Sequence, residues 1–171
     1  MSTLLKNTMI ASCLCGQVKL EAVGAPISSV VCYCDDCQEG SRQIEAIPDA
    51  GTVQDPDGGT AYLVYRKDRL GCVTGSQFLK NLKIRKTSTT NRVIATCCNS
   101  AMFLNFDDGK HWVDVYRSRC KGNLPPMQMR ICTKFKPDSI KISDEVPSYS
   151  GYPFKFLLML LAARIAMLFH R

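Results

Sequence analysis

Cys32, Cys34 and Cys37 place three thiols within six residues, in the pattern C-x-C-x-x-C. Zinc takes about four ligands when structural, and three protein ligands plus an exchangeable one when catalytic. The trio therefore spells a zinc site with a fourth position left over. A substrate thiol taken there is held as a nucleophilic thiolate at neutral pH, which is carbon–sulfur chemistry. The competing use is redox work by the cysteines themselves. Against it, the trio reads as a tight turn without the strand-then-helix setting of a thioredoxin-type C-x-x-C.

Cys13 and Cys15, followed by Gly16, form a second short motif. Alternate side chains of an extended segment share a face, so this pair can offer two ligands and needs partners from elsewhere. Cys97 and Cys98 are the natural donors. Neighbours in a strand point to opposite faces, so both can serve one ion only if the backbone turns there. Asn99, which tolerates the left-handed conformation, makes that turn plausible and favours Cys98. Cys97 then either joins as a ligand or enters the core. Cys72, Cys120 and Cys132 stand alone in strand-like contexts and read as small buried hydrophobes.

The elements that must position these thiols are mostly short strands. Val18 to Val23 alternates apolar and polar residues, and Ser28 to Cys32 leads into the trio. Strands are also expected over Ala61 to Tyr65, Cys72 to Lys80, Leu82 to Lys86, Arg92 to Thr96, Met102 to Phe106 and Trp112 to Tyr116. Asp107-Asp108-Gly109 is the best hairpin turn among them. The Pro-, Asp- and Gly-rich stretch from Ala46 to Gly59 reads as a long loop able to border a site. Residues 1–146 are expected to form one zinc-binding β domain, with 147–171 appended as an apolar helix over Phe154 to Phe169. That helix is too short and too interrupted, by Lys155 and Arg164, to span a bilayer. It packs on the sheet, meets a second subunit or lies on a membrane surface; Arg164, His170 and Arg171 suit a helix C-terminus and an anionic bilayer alike.

Length bounds the chain at one compact domain, and a composition near the soluble average excludes disordered, collagen-like and coiled-coil classes. The 22 Lys and Arg against 15 Asp and Glu give a net charge of +7, which favours an anionic partner. Met1 to Ile10 lacks the apolar run of a secretory signal, so a reducing cytoplasm is expected, where clustered cysteines bind metal or do chemistry.

At Ser12-Cys13-Leu14-Cys15-Gly16, Val31-Cys32-Tyr33-Cys34-Asp35-Asp36-Cys37 and Cys98-Asn99-Ser100-Ala101-Met102-Phe103 the sequence resembles the glutathione-dependent formaldehyde-activating enzymes, the superfamily that includes the centromere protein V domain. It is most similar to a subgroup sharing a Gly-Gly-Thr before a strand, here Gly58-Gly59-Thr60, and a Cys-Cys-Asn turn. The resemblance implies a mainly β, zinc-centred, tent-like fold of short antiparallel strands. It implies a structural zinc on Cys13, Cys15 and Cys98, and a catalytic zinc on Cys32, Cys34 and Cys37, hence one or two ions per chain. The implied reaction joins formaldehyde to glutathione as S-hydroxymethylglutathione, or reverses it. Two positions depart from the family pattern: Ala95 stands where its late C-x-x-C begins, so a four-cysteine set requires Cys97, and Tyr33 replaces a frequent histidine.

Two functions follow from this reading. The first is a carbon–sulfur lyase-like enzyme acting on a small anionic thiol such as glutathione, whose carboxylates the basic cluster Lys80, Lys83, Arg85, Lys86 and Arg92 could attract. The second is a non-catalytic zinc module that binds a protein, nucleic acid or membrane surface. Nucleic acid is not the first choice, and residues 154–169 offer a membrane-surface or dimer contact.

Overall fold

The computed structural model describes residues 8–169; His170 and Arg171, read above as a cationic helix end, lie outside them. Among the described residues the chain is mainly β, with two α-helices. A four-stranded sheet has the order β10-β1-β2-β5, from β1 (Thr8–Ser12), β2 (Lys19–Val23), β5 (Leu70–Thr74) and β10 (Cys120–Lys121). A seven-stranded sheet has the order β11-β3-β4-β9-β8-β7-β6. Its members are β3 (Ser28–Cys32), β4 (Thr60–Arg66), β6 (Leu79–Leu82), β7 (Thr90–Ala95), β8 (Ser100–Phe106), β9 (Trp112–Tyr116) and β11 (Met129–Ile131). Among the described strands all pairings are antiparallel except β11 against β3.

Period-two alternation explains how the layers stack. Met9, Ala11, Leu20 and Ala22 of the small sheet pack against Leu63, Tyr65, Val113 and Val115 of the large one. The intervening residues Tyr62, Val64, Leu104 and Tyr116 face the other way into a second core. That core is closed by α1 (Asp35–Glu45) and α2 (Phe154–Phe169). The chain thus forms a sandwich whose outer sheet face is roofed by two helices.

Several expectations need correction. No helix was expected after the trio, yet α1 begins at Asp35, with Asp35 and Asp36 in the first turn complementing the helix dipole. The segment 72–80 is not one strand: Gly75, at φ +77°, ends β5 before β6 begins. Residues 83–86 are not a strand either, because β6 stops at Leu82. β1 (Thr8–Ser12) is hidden in the sequence pattern by the polar Lys6, Asn7 and Thr8. Cys72 is exposed rather than buried, since β5 is the edge of the small sheet. The turn at 107–109 does connect the antiparallel pair β8 and β9, with Gly109 at φ +76°.

α2 has the bounds expected of it. Only Phe156 and Leu160 are buried, and the His111 ring Nε2 hydrogen-bonds the Leu160 carbonyl at 2.7 Å. Phe154, Leu157, Leu158, Leu161 and Ile165 remain exposed. No described helix is long and apolar enough to cross a membrane.

Candidate metal centres and the adjoining cavity

The first cluster forms where β1 ends and the β7–β8 connection turns. Cys13 and Cys15 follow β1, and the backbone N–H of Leu14 donates to the Ser100 hydroxyl at 3.0 Å, fixing one strand end against the other. The Cys98 N–H donates to the Ala95 carbonyl at 3.2 Å and Asn99 takes φ 53°, which is the turn that lets adjacent cysteines face the same way. The sulfurs of Cys13, Cys15, Cys97 and Cys98 all lie within 4.8 Å of one another. Cys15 to Cys97 is 3.4 Å, Cys13 to Cys15 3.5 Å, Cys13 to Cys97 3.8 Å and Cys97 to Cys98 4.0 Å. The edge of a tetrahedron built on Zn–S bonds of about 2.3 Å is about 3.8 Å, so the donor set fits such an ion. Burial pushes the Cys98 thiol up, but hydrogen bonds to its sulfur from Ser100 and from the Cys15 backbone bring it down to about 6. Ala95 is buried and offers no ligand; Cys97 stands beside Cys13 and Cys15 in its stead.

The second cluster is the trio, whose three sulfurs also lie within 4.8 Å of one another. β3 delivers Cys32, Cys34 caps α1 in extended conformation, and Cys37 sits in the helix's first turn. The trio therefore occupies a strand-then-helix junction, the setting of a thioredoxin-type C-x-x-C, rather than the tight turn expected from its spacing. Hydrogen bonds from the Cys32 and Cys37 thiols hold Cys34 down at about 3. Cys132 was not expected here. It is buried, at φ 58°, and shares a hydrogen bond with the Cys32 thiol, which raises Cys32. The parallel pairing of Ile131 with Cys32 brings it there, a contact that no local spacing encodes.

Tyr33, between the first two cysteines, points away from the trio. Its hydroxyl donates to Asp57 Oδ2 at 2.7 Å, and Arg130 Nη1 donates to the same oxygen at 2.6 Å. The 46–59 loop is thereby pinned beside the site; Glu45 Oε1 also accepts the N–H groups of Val53 and Gln54 at 2.8 and 2.9 Å.

A cavity of about 370 Å³ opens from the trio across the outer face of the seven-stranded sheet. Trp112 and Phe106 of the sheet, Phe156, Leu157 and Leu160 of α2, and Cys32, Cys34 and Cys37 all line it. Asp114 lies on the same face of β9 as Trp112, and burial pushes its carboxyl up to about 7 against the pull of Lys110. A period-two reading of Trp112-Val113-Asp114-Val115-Tyr116 carries that signal, an acid between two aromatics on one strand face. Of the basic cluster, Arg92 is buried and lines the cavity, whereas Lys80, Lys83, Arg85 and Lys86 are exposed. Arg85 and Lys83 pair at 2.6 Å with Asp36 and Asp107.

Residues 8–48 match the model of a family described as glutathione-dependent formaldehyde-activating enzyme. This segment carries Cys13, Cys15 and the trio, and its match supports the superfamily assignment read from the motifs. Among solved structures, a crystal structure of a Rhodobacter sphaeroides protein aligns with 82% of this chain and 99% of its own, at 17% identity and a TM-score of 0.49. No curated protein matches the chain.

Proposed function

We propose that this protein is a zinc-dependent enzyme that makes or breaks the carbon–sulfur bond of a small thiol adduct, of the kind glutathione forms with formaldehyde. One observation carries the reading: three converging thiols, with no fourth described His, Cys, Asp or Glu within 4.8 Å of all of them, line a cavity of substrate size. In this reading Cys32, Cys34 and Cys37 hold the working ion, and Cys13, Cys15, Cys97 and Cys98 a structural one. Zinc bound at the trio supplies the positive charge that keeps a substrate thiol ionised at neutral pH. The apolar walls exclude water from the reacting atoms. Asp114, poised near neutrality, gives a proton to the carbonyl oxygen as sulfur closes on carbon, and takes it back in the reverse direction. Thiol plus aldehyde gives a hydroxyl-bearing adduct with every atom retained, so no oxidant is needed. Seven reduced cysteines at two centres go with a reducing, cytoplasmic setting.

Elemental analysis of untagged protein purified without chelator tests this. The expected content is near two zinc ions per chain, falling to near one in Cys34→Ser with loss of adduct formation from glutathione and formaldehyde. A fully active Cys34→Ser protein overturns the reading. The exposed apolar side of α2 favours the second reading, a non-catalytic zinc module that meets a protein or membrane surface. Two bound zinc ions with no thiol-adduct turnover, together with flotation on liposomes lost on deletion of 152–171, would select it.

A further inference from the structure

α2 meets the rest of the chain along one side. Phe156 and Leu160 are buried in the core that it closes, Met159 packs against the same cluster, and His111 Nε2 lies 2.7 Å from the Leu160 carbonyl. The opposite side is open. Phe154, Leu158, Leu161, Ile165 and Leu168 recur in alternate steps of four and three, with Leu157 and Phe169 beside the row, and each is between 47% and 79% exposed. At about 100° per residue they fall within an arc of about 120°, centred on the side away from Phe156 and Leu160. Single exposed apolar residues are ordinary, but a continuous strip of large ones marks a contact surface.

The charges on the helix identify what covers the strip. Lys155 and Arg164 are the charged residues of α2, and both are exposed. At the same rotation per residue, Lys155 stands about 100° to one side of the strip's centre and Arg164 about 80° to the other, so a cation borders each edge. Neither forms an ion pair with a described carboxylate. Basic side chains in that position lay their stems on an apolar phase and lift their charges into an anionic headgroup layer. A second copy of the chain fits less well. Helix against helix, the row of five offers roughly 500–600 Å² per chain, short of the about 800 Å² per partner of a standard stable interface. Two cationic helices also bring each other no acid.

We propose that α2 is an in-plane anchor that docks the protein on an anionic phospholipid surface, with its strip against the acyl chains and Lys155 and Arg164 among the headgroups. Its 16 residues lie along the surface for about 24 Å, since no described helix is long and apolar enough to cross. Phe156, Leu157 and Leu160 also line the cavity, so docking sets the cavity beside the membrane surface. The attachment requires no chemistry at the trio and holds for an enzyme and a non-catalytic module alike.

The test is flotation of the full-length protein with vesicles of phosphatidylcholine alone and of phosphatidylcholine carrying about 30% phosphatidylserine. Binding is expected to be about tenfold or more tighter to the mixed vesicles and to weaken as salt is raised. No binding to the mixed vesicles, or equal binding to both, overturns the inference without recourse to any variant. Leu158→Gln/Ile165→Gln removes apolar surface and Lys155→Gln/Arg164→Gln removes both cations; each pair should weaken binding about tenfold or more. All four positions are exposed, so thermal melting should stay at the wild-type value. Undiminished flotation of either pair places the contact on another face and overturns the inference. A dimer in sedimentation that Leu158→Gln/Ile165→Gln dissociates, with no vesicle binding, assigns the strip to a second copy and also overturns it. Cys34→Ser should float as the wild type does, and adduct turnover is read in vesicle-free solution. Turnover without flotation defeats this inference alone, and flotation without turnover defeats the enzymatic reading alone.

Discussion

Gly40 provides a sharp test of how α1 and Arg92 fit together. It lies inside α1, where replacing glycine by alanine ordinarily stabilises a helix by about 1 kcal/mol. Here a Cβ would fall 1.8 Å from Arg92 Nε and 2.4 Å from its Cζ, so the guanidinium has to leave its seat. Leaving breaks the bond to the Asp36 carbonyl, and a hydrogen bond made by a charged group contributes about 1.5–3 kcal/mol. Set against the helix gain, Gly40→Ala is expected to destabilise by about 0.5–2 kcal/mol, a fall of a few degrees in Tm. The assay is denaturant unfolding of wild type, Gly40→Ala, Arg92→Met and the double variant. Arg92→Met alone should be close to neutral or stabilising, because it removes a buried cation with unsatisfied nitrogens. In that background Gly40→Ala should become stabilising, so the two sites couple by about 1.5–3 kcal/mol. If Gly40→Ala raises wild-type stability, or has the same effect in both backgrounds, the close packing of Arg92 on α1 is refuted.

Asp114 has its carboxyl raised by burial to about 7, so the folded state binds its proton more tightly than the unfolded chain. Its contribution is therefore present below about pH 4 and lost as pH rises through 7. Asp114→Asn should melt higher than wild type at pH 8, by at most about 4 kcal/mol in stability, with the gap closing toward pH 5; a gap that does not narrow counts against this. Asp57 behaves oppositely. Burial raises its carboxyl, but hydrogen bonds from Tyr33, the Gly59 N–H and Arg130 outweigh burial and leave it lowered. Its stabilisation is full above about pH 4 and fades on acidification below that, so Tyr33→Phe should flatten the acid limb of the stability curve, as read by pH-dependent melting. Gly75→Ala should destabilise by about 1–3 kcal/mol in denaturant unfolding, since it sits at φ +77° with a Cβ 2.5 Å from the Gln17 carbonyl oxygen.

What the sequence disclosed depended on whether the signal was local. β2 alternates because one of its faces meets a core, so period two reveals it, whereas β3 and β4 are buried on nearly every residue and β8 and β9 feed both cores, so these are legible as short β-branched or aromatic runs between turns. α1 was not, because its cap is a cysteine rather than serine or aspartate, and because Gly40 and Ser41 are weak helix formers. Gly40 is there for Arg92, a partner 52 positions away, and no window of sequence reports that contact. The site divides in the same manner. The spacing of Cys32, Cys34 and Cys37 marks them together, whereas Cys132 and Asp114 reach the same region through sheet pairing alone.

The two sulfur clusters differ in what their surroundings allow. The first joins an end of the small sheet to the β7–β8 turn of the large one, and an ion there clamps two segments more than eighty residues apart. An ion held by all four of its sulfurs would have a complete tetrahedral set, leaving no position for a substrate. The trio spans only six residues at one strand–helix junction, so it contributes little to chain closure, and it opens onto the cavity. Metal loss at the first cluster should therefore register as lost stability, and metal loss at the second as lost ligand chemistry with the fold retained. Chelator titration followed by both unfolding and cobalt absorption separates these. If Cys34→Ser melts as far below wild type as Cys15→Ser does, the trio is a second clamp, and its cavity is incidental.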